Sequence, residues 1–291
     1  GGQPGQWRAP GGGSYSCGAS WSVSGDVIAD LNQRLVAFGQ GEDHGDLFNL
    51  LMAAMDPAGD PFNSPATREH MNGISIDLKL KSHRHGPVLG LAQVMAQHFD
   101  GNRMERGQAV TLHDAMSSGG GHPDLLNFLA LILARQSGLD ALAVDFFGAH
   151  LLHLVYGDEQ ALIDPGQMFA ILEPGDLRAL YQNLTGDDRE VTEADIVVVD
   201  DRVMFVHVLR LAKNRAMKQG EEQWAMQLLE RMCLVMPESQ DMQLERGLAA
   251  GKSGQISRAI LQITGLVEQS DDRHIIEEGR LALQRLRNML N

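Results

Sequence analysis

Cysteine is scarce in this chain. Only Cys17 and Cys233 occur in 291 residues, too few for a disulfide scaffold or a cysteine-rich zinc site, and lone thiols are ordinary in reducing compartments. A cytoplasmic setting is therefore expected. Positive charge is also short, with 24 Lys and Arg against 38 Asp and Glu and a net charge of -14. That balance gives no electrostatic footprint for phosphate backbones or anionic lipid, so no nucleic-acid partner is expected. No apolar run approaches the ~20 residues that a membrane helix needs, and no membrane span is expected either. The run Gly119-Gly120-Gly121 lacks the Lys-Ser/Thr of a phosphate-binding loop, and the imidazoles of His83, His85 and His122 lack a second cluster at metal-ligand spacing. The segment holding His83 and His85 reads as a solvated loop. No cofactor and no metal follow from the sequence.

What is present is enough apolar residue, 43%, to bury a sizeable core. Residues 1–14 hold six glycines and two prolines, a composition suited to a flexible leader, and the leader is expected to reach residue 25. The chain starts with glycine instead of methionine, which reads as a processed or truncated start. Helical periodicity then recurs over Asp26–Phe38, Leu47–Met55, Ala66–Lys81 and Pro87–Phe99, with a shorter segment at Val110–Met116. Pro123 and Asp124 make a helix start before the almost continuously apolar Leu125–Ala134, and Gly138 makes its stop. A buried central helix is expected there. Ala141–Val144, His150–Tyr156 and Ala161–Ile163, separated by turn residues such as Gly157-Asp158, read as about three strands.

From Val203 onward the pattern is helical throughout. A shift of 34 residues superposes Gly220 on Gly254 and Ala225 on Ala259, and 34 is the tetratricopeptide period. The acidic stretch Glu193–Arg202 separates the two textures, so three segments are expected: a leader at 1–25, an α+β core at 26–198 and an all-α tetratricopeptide-like tail at 199–291.

A buried helix followed by strands carrying a His and then an Asp is the order of a thiol-type triad. The helix N-terminus lowers the pKa of a nucleophile, an imidazole takes its proton, and a carboxylate orients the imidazole. His150 and Asp164 are the candidates for the last two roles and are expected to face each other on consecutive strands. His153 should point to the opposite face from His150.

These residues resemble a family. Gly121-His-Pro-Asp-Leu-Leu126, Leu129, Leu131, Ala134-Arg135 and Gly138 are similar to the central-helix motif of the SirB-type branch of the transglutaminase-like superfamily. Gly148-Ala-His150-Leu-Leu resembles its G-H-F-L strand, and Ile163-Asp164-Pro165 its I-D-P motif. The resemblance implies a papain/transglutaminase-like core, a central helix with a short antiparallel sheet, followed by a tetratricopeptide-like tail. Active members carry a nucleophilic cysteine at the start of the central helix. An ungapped match on Gly121, Pro123 and Gly138 puts Leu125 in that slot, and leucine is no nucleophile. His150 and Asp164 would then be the remnant of a degenerate triad, in a non-catalytic protein that acts through a protein or peptide partner held by its tail.

The alternative is a cysteine- or serine-type hydrolase or acyl transferase using His150 and Asp164 with a nucleophile from the N-terminal segment. Cys17-Gly-Ala-Ser20-Trp21 looks like a papain-type segment with Ser20 in the nucleophile position, and Cys17 is the other candidate. No Asn-Ser-Trp segment follows, and the tail is foreign to such proteases. The partner, the substrate and the oligomeric state are not legible.

Overall fold

The computed structural model describes residues 25–42, 46–60, 62, 64–99 and 109–290. Cys17, Ser20 and residues 1–24 of the expected leader lie outside the described residues. Five helices come first: α1 (Gly25–Gly39), α2 (Leu47–Met55), α3 (Pro65–His85), α4 (Pro87–His98) and α5 (Leu112–Ser118). Local chemistry sets their starts. The Asp46 side chain accepts from the Asn49 amide at the head of α2, Thr111 does the same for the Asp114 amide in α5, and α3 and α4 each begin on a proline, whose missing N–H is no loss in a first helical turn. The Lys81–His85 stretch, expected as a loop, is the last turn of α3, where basic side chains oppose the negative end of the helix dipole.

The central helix α6 (Pro123–Gln136) is buried at every residue from Leu125 to Ala134. A helix apolar on all sides must be enclosed, and the sheet is one of its walls. Strands β1 (Asp140–Phe146), β2 (Ala149–Tyr156), β3 (Glu159–Asp164), β4 (Ala170–Leu172) and β5 (Val197–Val199) form one antiparallel sheet in the order β4-β3-β2-β1-β5. Phe147 and Gly148, both at positive φ, 53° and 87°, close the β1–β2 hairpin with the two-residue turn that matches strand twist. Leu152 and Leu154 of β2 enter the main core with α6, while Leu151 joins Val144, Phe146 and Tyr181 on the other face. By the period of two along a strand, His150 shares the α6 face and His153 the opposite one. Helix α7 (Pro174–Thr185) carries Tyr181 over that second face.

Helices α8 (Asp201–Gln219), α9 (Glu222–Val235), α10 (Gln240–Lys252), α11 (Ile256–Gln269) and α12 (Arg273–Leu290) complete the chain. Gly220 and Gly254 adopt φ of 77° and 84° at the turns after α8 and α10, which glycine supplies without steric cost. Ala225 and Ala259, related by the 34-residue shift, are both buried. Packing is continuous across residue 198. Phe205 of α8 contacts Phe38 of α1 at a ring separation of 5.0 Å and Phe128 of α6 at 6.1 Å. Buried residues of α9 belong to the same core as α1, α2 and α6, whereas α11 and α12 build a smaller cluster with the end of α10.

Three short or late elements differ from the sequence expectation. Strands β4 and β5 have three residues each, too few to show alternation, and α7 opens on Pro174-Gly175, a pair that reads as a turn. The acidic stretch read as a boundary contains β5, which pairs with β1 through Val197↔Asp145, Val198↔Val144 and Val199↔Ala143. Among the described residues no helix is long and apolar enough to cross a membrane.

Candidate functional site

Asp124 occupies the first turn of α6. His122 precedes the helix as its cap, its Nδ1 accepting from the Asp124 amide at 3.3 Å, and Pro123 fixes the helical entry. The Asp124 carboxylate turns toward the sheet and toward α8. Its Oδ1 lies 3.0 Å from His150 Nδ1 on β2, and its Oδ2 lies 2.7 Å from His207 Nε2 on α8. His122 Nδ1 is 3.4 Å from the same Oδ2. The His150 and His207 rings meet edge to face with centroids 5.0 Å apart. Three elements far apart in sequence thus converge on one carboxylate.

The electrostatics follow from that geometry. Burial on its own would raise the Asp124 carboxyl, but hydrogen bonds and charge from His150 and His207 outweigh it and hold the group well below the usual carboxylate range. Asp124 is therefore ionised at neutral pH and can only accept, so His150 Nδ1–H and His207 Nε2–H donate. The hydrogen bond to Asp124 raises the His150 imidazole above its ordinary value against the opposing effect of burial. His122 moves the other way: burial lowers it, and the Asp124 charge compensates only in part.

Access is asymmetric. The Asp124 and His150 side chains are each 15% exposed, while His207 is 35% exposed and forms the wetter wall. The arrangement can orient an imidazole, share a proton between two imidazoles, or present three ligand atoms to a cation, since one atom from each of Asp124, His150 and His207 lies within 4.8 Å of the other two. A carboxylate that already receives two charge-assisted hydrogen bonds is a weak nucleophile.

The residues expected from sequence are distributed differently. His150 is in the cluster, but its acid is Asp124 and not Asp164. Asp164, 7% exposed, accepts from the Gly166 amide at 2.7 Å and Gln167 Nε2 at 2.8 Å; it caps the turn that leaves β3, because the following Pro-Gly-Gln segment needs an acceptor at its start. Leu125 is fully buried in the main core. The helix residue that faces His150 is its neighbour Asp124, one position earlier than the ungapped match. Cys17 and Ser20 lie outside the described residues. His153 lines a cavity on the opposite sheet face with Val144, Leu162 and Ile171. Asp124 had reading value only as a helix-start residue, and His207 had none, being 83 positions away in a helix of ordinary periodicity.

A central helix packed on an antiparallel sheet, with a polar side chain at the helix start hydrogen-bonded to a histidine on the adjacent strand, makes an α+β domain. Residues 69–210 match the family model of the transglutaminase-like superfamily, and that match makes the segment transglutaminase-like. The matched segment ends inside α8, three residues beyond His207, so all three members of the cluster fall within it. No curated protein matches the chain, and no solved structure does.

Proposed function

We propose that this is a non-catalytic transglutaminase-like protein, of the SirB-type branch and cytoplasmic, that acts through protein–protein contacts. The observation that carries the reading is the identity of the side chain facing His150. Active thiol members of the superfamily present a cysteine at the start of the central helix; here Asp124 stands against the histidine with both carboxylate oxygens engaged. Cys233, the one cysteine among the described residues, is buried in α9, and burial pushes its thiol up, away from the thiolate that acyl transfer needs.

The partner surface belongs, in this reading, to a tetratricopeptide-like tail at 199–291. The helix–turn–helix pairs α8–α9 and α10–α11, closed at Gly220 and Gly254 and followed by α12, support it. Leu261 and Leu281 leave 76% and 48% of their surface in water and give that tail apolar area for a partner to cover.

The test is labelling of purified full-length protein with a chloroacetamide thiol probe and a fluorophosphonate serine probe, on wild type and His150→Ala. No label that depends on His150 is expected. Labelling that maps to Cys17 or Ser20 and disappears in His150→Ala would overturn the reading in favour of the hydrolase or acyl transferase with an N-terminal nucleophile.

A further inference from the structure

We propose that Asp124, His150 and His207 form a binding site for a divalent transition-metal ion of the zinc class. The ligand atoms are one Asp124 carboxylate oxygen, His150 Nδ1 and His207 Nε2, and they come from the first turn of α6, from β2 and from α8. Ligands about 2.1 Å from a tetrahedral cation stand roughly 3.4 Å from one another. Here the carboxylate oxygens are 3.0 and 2.7 Å from the two imidazole nitrogens, and the three ligand atoms all lie within 4.8 Å of one another. The two oxygen–nitrogen separations are shorter than the tetrahedral spacing by less than about an ångström, a difference within the reach of small side-chain rotations.

The donor chemistry selects the ion. Two imidazole nitrogens and one carboxylate suit zinc, cobalt or iron, whereas calcium and magnesium prefer all-oxygen shells. Charge points the same way. Among the described residues the polar groups set against Asp124 are His150, His207 and His122, so its negative charge is met there by imidazoles and by no ammonium or guanidinium group. His122 is committed elsewhere, since its Nδ1 caps α6 by accepting from the Asp124 amide. Three protein ligands with one wall open at His207 leave a position for water, which is the arrangement of zinc sites that keep an exchangeable ligand. The site stands independently of the protein-contact reading, because neither a thiol-probe result nor partner binding bears on it.

The experiment titrates tag-free, chelator-stripped full-length protein with zinc alone by calorimetry, and with cobalt(II) alone by visible absorption. One ion per chain is expected, with the intense d–d bands of a four-coordinate cobalt site. Asp124→Asn and His207→Ala should each weaken zinc by about tenfold or more, while His122→Ala leaves the stoichiometry unchanged. Circular dichroism melts establish that each variant is folded, and His207→Asn replaces His207→Ala if the latter is not. Absence of stoichiometric binding by folded wild type, or binding that survives loss of the His207 imidazole in a folded variant, overturns the proposal.

Discussion

His207 Nε2 lies 2.7 Å from Asp124 Oδ2, and this hydrogen bond joins α8 to the head of α6 across 83 positions of sequence. The partner bond from His150 joins the same carboxylate to β2 at 3.0 Å. Hydrogen bonds to charged groups contribute about 1.5–3 kcal/mol when shielded from water. Because His207 is about one-third exposed, water recovers part of its loss. In the presence of a chelator, His207→Ala should cost about 1 kcal/mol and His150→Ala about 2 kcal/mol in urea unfolding. Their effects should be non-additive, since both act on one acceptor. Strict additivity would mean that the two histidines do not share Asp124 in solution.

Arg231 makes a second link between the C-terminal helices and the early part of the chain. Its Nη1 donates to the carbonyls of Ala54 at 2.9 Å and Asp56 at 2.7 Å, at the end of α2, and its guanidinium lies 5.1 Å from the Trp224 ring centroid. Burial pushes the group down to about 10, which leaves it charged at neutral pH. The unsatisfied carbonyls at a helix C-terminus are where a cation is favoured. Arg231→Met should destabilise by about 2 kcal/mol because the buried carbonyls lose their donor, and Arg231→Lys by less, because an ammonium can meet the carbonyls but cannot reproduce the planar contact with Trp224. Equilibrium urea unfolding measures both. A Met variant within about 0.5 kcal/mol of wild type would show that the α2–α9 link is not a stabilising contact.

The sequence exposed those parts whose physics is local. Repeating apolar spacing gives α2, α4, α6 and the five C-terminal helices, and the turns at Gly157 and Gly220 are positions where glycine's freedom at positive φ is used. The three-residue strands β4 and β5 carry no period to detect, so the acidic stretch before α8 read as a boundary although Val197–Val199 is an edge strand. The site was half visible. His150 stood out because a strand histidine after a buried helix has a chemical reason to be there. Asp124 hid behind its second use as a helix-start residue, a role that Asp fills in many helices. His207 is a tertiary fact: nothing local distinguishes it until α8 packs on α6 through Phe205 and Phe128. The expected pairing of His150 with Asp164 rested on their order along the chain, whereas the Asp164 carboxylate accepts from Gly166 and Gln167 in the turn that leaves β3.

Cys233 yields a pH-dependent prediction. Burial disfavours its thiolate, so its folded-state pKa is raised. A group raised on folding stabilises fully below its unfolded value and loses that contribution as pH climbs through the folded one. Wild type should therefore lose stability above about pH 8.5, and Cys233→Ala, which has no thiolate to bury, should lose less over the same interval. Thermal melts of both proteins from neutral to alkaline pH measure the difference. Parallel curves would sink the idea. Below that window the thiol should resist alkylation in the native protein and react on unfolding.

Asn127 lies one turn after Asp124 in α6 and is fully buried. Neither its amide nitrogen nor its carbonyl oxygen has a hydrogen-bond partner among the described residues. An unsatisfied buried polar group costs about 1–3 kcal/mol, whereas deleting a well-packed apolar core side chain costs about 2–5 kcal/mol. For Asn127→Ala these contributions oppose each other: the desolvation penalty disappears, helix propensity improves by roughly half a kcal/mol, and a small cavity opens. The expected net change is between no loss and a gain of about 1 kcal/mol, read from urea unfolding. A loss of more than about 2 kcal/mol would mean that the amide is satisfied in solution, with a buried water next to the head of α6 as the donor and acceptor it needs. In that case hydrogen exchange at Asn127 and its helical neighbours would be slower in wild type than in the variant, because the bound water braces the turn that presents Asp124.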